Sequence, residues 1–475
     1  MLFTNPEFVA LVLVTTFLYY SPILRRWQVP ILIGASLLFY AYGQANLLWL
    51  LLLSVGINIV SSYLVIYGRV GLRKFHATWG VIVNLSILLF FKYGPLLGHT
   101  FLPPANEVGA WLISLPLPIG ISFFTFQGIS LLVDTYRNRD IPAYRSLIAR
   151  NIIKHAQTVL FFKGFFPQLV SGPIVKAHFF LPQIGPKRLT DVRWEYCFRT
   201  LVLGYFLKMV VADNLKDHTV LMTYPYFEGL SSLTLLMLLL GYSMQIFADF
   251  AGYSLIALGL AALFGYQFPV NFNFPYISAS FAEFWRRWHI SLSSFLREYL
   301  YIPLGGNRYG QVRTYLNLMA TMVLGGLWHG AAWSYAIWGL AHGLALAAER
   351  FVSDRIDHRH VRGWRVLRVG LVFGYVTMTW LLFRLPDFSH VWAYLQALAA
   401  NLHKPNDMLT IWFIGCYTIP VVLYHAHYLL RERAIGADNR LYGRFQNVDM
   451  VTFGLLLFLI ITNKGSSGTF IYFQF

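Results

Sequence analysis

Leu230–Phe247, LSSLTLLMLLLGYSMQIF, runs eighteen residues without a charged side chain. As a helix it would rise about 27 Å, close to the roughly 30 Å hydrocarbon core of a bilayer. Apolar side chains occur all round it rather than along one stripe, which suits a span or a fully buried helix. The same pattern recurs at Phe8 to Tyr20, Leu47 to Tyr67, Trp79 to Phe91, Val369 to Phe383, Ile411 to Leu430 and Val451 to Ile461. Across the 475 residues, 57% are hydrophobic, 17% aromatic and only 12% charged. The expectation is an all-α polytopic membrane protein with roughly 11–13 membrane helices, some short or re-entrant. No internal repeat or long linker divides the chain, so residues 1–475 read as a single membrane domain. The first apolar run lacks a basic leader and a small-residue cleavage site, and reads as a retained span.

The chain carries 37 Lys and Arg against 20 Asp and Glu, a formal charge of +17. In a soluble protein that excess would suggest nucleic acid. Here the basic residues gather in alternate loops: Arg25 and Arg26, then Arg69, Arg73 and Lys74, then Arg137 to Arg150, then Lys187 to Arg193. The intervening loops carry few. Such alternation is a topology signal, which places the basic loops in the cytoplasm and both termini outside. It implies membrane lipid, not nucleic acid, as the surrounding partner. Two cysteines, Cys197 and Cys416, are too few for a disulfide framework and lack metal-ligand spacing.

Two segments depart from simple spans. Residues 161–182, FFKGFFPQLVSGPIVKAHFFLP, hold two glycines and three prolines among aromatics. Broken backbone at membrane depth is tolerated only where protein or a cavity surrounds it, so this segment reads as re-entrant. Residues 281–300 place Glu283, Arg287, Ser291, Ser294 and Glu298 on one helical face and Phe281, Trp285, Trp288, Leu292 and Leu296 on the other. That predicts one interfacial amphipathic helix. His289 falls on its apolar stripe, where spacing alone favours a structural, hydrogen-bonded imidazole.

His329, in GGLWHGAAW (residues 325–333), is an ionisable group inside an apolar run. Such groups are costly and commonly mark a pathway or a reactive site. The competing reading is a packing histidine, with Gly325, Gly326 and Gly330 permitting close helix approach. A metal site is disfavoured, because His342 lies thirteen residues on and off the same face. His425 and His427 point to opposite sides of a helix and read as structural or interfacial.

Taken together, LPIGISFFTFQGISLLVDTYR, FFPQLVSGPIV, FADFAGYSLIALGLA, the block from NFNFPYIS to IPLGGNR, GGLWHGAAWSYAIWGLAHG and the closing FIYFQF resemble the membrane-bound O-acyltransferases, in particular their bacterial alginate O-acetyltransferase type. The resemblance implies a bundle around a central tunnel, with His329 as the catalytic residue and His289 at a second polar position of the site. It thereby favours a functional His289. Relatives often carry Asp after GYS, where this chain has Leu255, so no role for that carboxylate is carried over; Asp249 still matches. The implied donor is acetyl-coenzyme A, as a substrate rather than a bound cofactor. Its phosphates would meet Arg286, Arg287, Arg297, Arg308 or Arg313, with Trp285 and Trp328 beside it. The implied partners are a periplasmic serine-hydrolase-like transferase of the SGNH type and an extracytoplasmic glycan, in a bacterial inner membrane.

Two other functions stay open: D-alanyl transfer of the teichoic-acid type, and a transporter using intramembrane histidines as proton relays. In the extracytoplasmic tail, residues 464–475, Gly465 to Gly468 read as a flexible lead-in. Tyr472 supplies the hydroxyl of the hexapeptide and is read either as an acyl relay or as an aromatic anchor.

Overall fold

The computed structural model describes residues 1–102, 106–169, 172–353, 362–435, 439–466 and 468, with only the backbone of 353, 362–364 and 431–450. Among the described residues every regular element is helical. The expected all-α architecture is borne out. Five segments are long and apolar enough to cross a membrane: Pro22–Tyr67, Val70–Phe101, Ser232–Leu263, Arg365–Arg384 and Met408–Leu430. The first, of 46 residues, carries two successive helices, Gln28–Gln44 and Leu48–Tyr67. Pro6–Tyr20 and Val451–Thr462 are apolar but shorter. The higher count expected from sequence included such short and interrupted pieces.

The chain forms two compact units, residues 1–201 with 256–269, and 202–255 with 270–475. In the first unit a polar seam runs between apolar helices. Lys163 Nζ donates to Ser54 Oγ at 2.6 Å, Ser54 Oγ donates to Asn84 Oδ1 at 2.7 Å, and Asn58 Nδ2 donates to the same oxygen at 3.1 Å. These bonds answer the cost of placing polar groups where no water reaches. The seam requires small neighbours, because a Cβ on Gly128 would lie 2.8 Å from Asn58 Nδ2.

The broken backbone expected at 161–182 is present. The helix Ile152–Gly164 ends there, and only single turns follow, Phe166–Leu169 and Ala177–Phe180; residues 170 and 171 lie outside the described set. Its aromatics are buried: Phe161, Phe165 and Phe180 all pack on Tyr266, with ring centroids 5.3–5.4 Å apart. Aromatic edges and faces at this distance hold the segment without regular structure.

In the second unit, Lys208 Nζ lies 2.8 Å from Asp213 Oδ1 and 2.7 Å from Asp249 Oδ1, with all three side chains buried. Asp249, which the motif reading retained, is thus one of the two carboxylates of a buried ion triad.

Candidate active site

The single interfacial helix expected over residues 281–300 is in fact two. Phe281–Arg287 and Ile290–Leu296 are separated by an extended Trp288 and by His289 at φ 44°, ψ 53°. A left-handed non-glycine residue is strained, and here tertiary hydrogen bonds hold it. Ile290 N donates to the Asn271 carbonyl at 2.9 Å, while Ser291 N and Ser291 Oγ donate to Asn271 Oδ1 at 3.2 and 2.6 Å. Helical periodicity could not reveal this break, because its acceptor lies eighteen residues upstream of His289.

The same amide fixes the state of His289. A backbone N–H can only donate, so the Asn271 atom facing Ser291 is the oxygen, and Asn271 Nδ2 in turn donates to Ser254 Oγ at 3.1 Å. The His289 Nδ1, 3.3 Å from that oxygen, must therefore carry the proton. In the neutral ring Nε2 is then the acceptor. This residue lies outside the five candidate spans, and complete burial pushes its imidazole down to about 3, which leaves it neutral near pH 7. His289 is thus both buried and held in place by Asn271. Asn271 went unremarked as a site residue; its only signal was polarity between aromatics in NFNF.

His329 is the last residue of the helix Gly310–His329, and the chain turns back at Gly330 into the helix Trp333–Ser353. The two helices meet through backbone. A Cβ on Gly326 would lie 2.2 Å from the Tyr335 carbonyl oxygen, one on Gly339 2.2 Å from the Met322 carbonyl oxygen, and one on Gly330 2.2 Å from the Tyr335 ring. The glycines therefore do permit close approach, and the helix end they fix presents His329 to a cavity. Close packing and a place in the cavity lining coexist at this residue.

That cavity, about 200 Å³, is lined by the exposed Arg297, by Tyr301 and by the buried His329. Leu292, Leu296, Met322, Gly325, Trp285 and Trp338 also line it, and the Trp338 ring packs on that of His329. An apolar cavity lined by both an arginine and an imidazole can hold a molecule that carries an anionic group and a reactive one. The ring of His289 lies 6.1 Å from that of His329, centroid to centroid, and Trp328 packs on both at 5.8 and 5.1 Å. The structure thus brings the two histidines and Trp328 together, but of these three only His329 is part of the cavity lining.

The arginines singled out for the donor are arranged differently. Arg287 donates to Glu283 Oε1 at 3.0 Å and to the Asn273 carbonyl at 3.1 Å, so its charge is already engaged. Arg286, Arg308 and Arg313 are exposed and not part of the cavity wall. Of the residues singled out for the donor, Trp285 and Arg297 line the cavity. His425 donates from Nδ1 to the Val421 carbonyl at 2.8 Å, which bears out its structural reading.

Gly465 and Ser466 of the lead-in to the tail are docked rather than flexible. Gly465 N donates to the Met209 carbonyl at 2.9 Å, Lys216 Nζ donates to the Ser466 carbonyl at 2.9 Å, and Ser466 N donates to Asp217 Oδ2 at 3.2 Å. Glycine serves close backbone contact here, since a Cβ on Gly465 would fall 2.5 Å from Asn214 N. Tyr472 lies outside the described residues.

With this geometry in view, comparison with known proteins is consistent and specific. Residues 154–386 match the model of the membrane-bound O-acyltransferase family. A peptidoglycan O-acetyltransferase of Helicobacter pylori is 35% identical over 84% of this chain and 80% of its own length. A probable alginate O-acetylase of Azotobacter vinelandii is 38% identical over 80% of this chain and 74% of its own. More distantly, a teichoic acid D-alanyltransferase of Bacillus subtilis is 28% identical over 70% and 83%. The chain carrying this buried histidine and its apolar cavity therefore belongs to the membrane-bound O-acyltransferase family and is a multi-pass membrane acyltransferase.

Proposed function

We propose that the protein transfers an acetyl group from cytoplasmic acetyl-coenzyme A towards an extracytoplasmic polysaccharide. The observation that carries this reading is one cavity that both Arg297 and His329 line. Arg297 would meet the donor's phosphates, the apolar walls would sheathe its pantetheine arm, and the thioester would stop beside the imidazole. His329 then removes the proton of an attacking hydroxyl, the new C–O bond forms, and the C–S bond breaks. The departing thiolate recovers that proton from His329. His289, held by Asn271, positions the neighbouring ring system through Trp328.

The acetyl group is favoured over D-alanyl by charge. A D-alanyl thioester carries an ammonium, and among the described residues no Asp or Glu lines the cavity to receive it. The relatives named for alginate and peptidoglycan support a polysaccharide acceptor. A periplasmic SGNH-type transferase would complete delivery, in a bacterial inner membrane with both termini outside. Tyr472 would carry the acetyl group between the buried site and that partner.

Purified protein given acetyl-coenzyme A and a hydroxyl acceptor should release free thiol, and His329→Ala should lower the rate at least a hundredfold. Thiol release by the alanine variant at the wild-type rate would sink the assignment. In cells, Tyr472→Phe should abolish glycan O-acetylation with normal membrane accumulation; normal acetylation would leave Tyr472 an anchor.

A further inference from the structure

The mechanism above gives a base but leaves the carbonyl oxygen of the donor unaccounted for. When a hydroxyl adds to a thioester, the carbonyl electron pair moves onto that oxygen, and a buried negative charge needs a donor already in place. His329 is occupied with the hydroxyl proton. Of the polar residues that also line the cavity, Ser293, Tyr301 and Thr321 donate their hydroxyls to protein oxygens, whereas the indole Nε1–H groups of two further lining residues, Trp285 and Trp338, are buried and have no acceptor among the described residues. Trp338 is 1% exposed, and its ring stands edge-to-face with His329 at 5.3 Å and 86°. Its neighbours Trp285, Trp380 and Phe383 at 4.8–5.7 Å fix the plane of the indole. A buried N–H without an acceptor is costly, and a tryptophan kept for packing alone could be a phenylalanine at no such cost.

We infer that the Trp338 indole N–H is the oxyanion donor of the reaction, contacting the thioester carbonyl oxygen while His329 acts on the hydroxyl. The inference rests on the thioester chemistry proposed above. The balance is closed. The acceptor oxygen bonds to the carbonyl carbon and its proton goes to His329; the carbonyl electron pair rests on the oxygen facing Trp338. That pair then reforms C=O, the C–S bond breaks, and the sulfur takes the proton from His329. Trp338 keeps its own proton throughout, so it lowers the barrier without limiting turnover.

The test uses Trp338→Phe in the full-length protein, with Tyr394→Phe, a fully buried ring outside the cavity lining that also loses one polar group, as the packing control. Trp338→Phe should lower kcat roughly 10²–10³-fold, the usual effect of deleting one such donor, with the KM for acetyl-coenzyme A within about threefold of wild type. Tyr394→Phe should leave kcat within about threefold. The second readout is the infrared carbonyl stretch of bound acetyl-dethia-coenzyme A, whose methylene in place of sulfur prevents transfer. In wild type it should shift to lower frequency than in hydrocarbon solvent, and in Trp338→Phe the shift should be lost. A kcat unchanged by Trp338→Phe overturns the inference, as does an equal loss in both variants. If Trp338→Phe does not accumulate, an unshifted stretch on the wild-type protein overturns it alone. Absence of wild-type thioester turnover would instead sink the proposed function.

Discussion

His329 and Arg297 line one cavity, and they were not equally readable. An imidazole in an apolar run is conspicuous because ionisable groups are scarce there. Arg297 is one of five arginines in and after the amphipathic segment, and only the fold separates it from the others. Arg287 is paired within its own helix turn to Glu283, whereas Arg297 reaches the cavity wall. Arg297→Glu should therefore raise the KM for acetyl-coenzyme A about tenfold or more with little change in kcat, since it reverses an attraction at the entrance. Steady-state kinetics at two salt concentrations would check this; an unchanged KM would remove the arginine from donor binding. Arg286→Glu, at an exposed position off the cavity wall, should change KM by less than twofold. Trp338 was illegible for another reason: the chain reverses at Gly330 between the two helices, so nine residues of separation from His329 carry no helical phase.

At the scale of elements, amphipathic spacing joined what Asn271 divides, and it put Ser291 on the polar face although that residue is buried. Periodicity measures only residues within one element, and the break depends on an acceptor from outside it. The helix pair 310–329 and 333–353 was more transparent, because glycine spacing at 325, 326 and 330 already signalled close approach. Gly326→Ala should destabilise the protein by about 1–3 kcal/mol, the usual cost of overpacking, since the clash is with the Tyr335 carbonyl and backbone cannot rotate away. Gly34→Ala has nothing within 4 Å of the added carbon and should be neutral or slightly stabilising. Thermal unfolding of the two variants in detergent decides; equal midpoints would mean the helices separate easily.

For the whole molecule, hydropathy made the class plain. It could not foresee the polar interiors that hold each unit together, such as Lys163 to Ser54 and Asn84 in one and the Lys208 triad in the other. Those residues look like isolated polar interruptions until their partners from distant helices appear. Lys208→Met leaves two buried carboxylates facing each other and should cost about 3–5 kcal/mol, read as lost accumulation or a lower unfolding midpoint. Adding Asp249→Asn should restore part of the loss, and no restoration would mean Lys208 acts through packing alone.

The backbone-to-backbone lock at Gly326 and Gly339 also has a bearing on which acyl groups are admitted. Gly325, on the cavity wall, is the residue next to that lock, so the wall there has little freedom to recede. It works as a ruler rather than a cushion. One extra methylene on the acyl group would press against a surface that does not yield, and a propionyl donor should be discriminated from acetyl by about 10- to 200-fold in kcat/KM. Gly325→Ala, whose added carbon would fall 2.9 Å from Leu296 Cδ1, should shorten the ruler and penalise even the acetyl donor. Equal rates for acetyl and propionyl thioesters in the wild-type protein would show that the wall gives way.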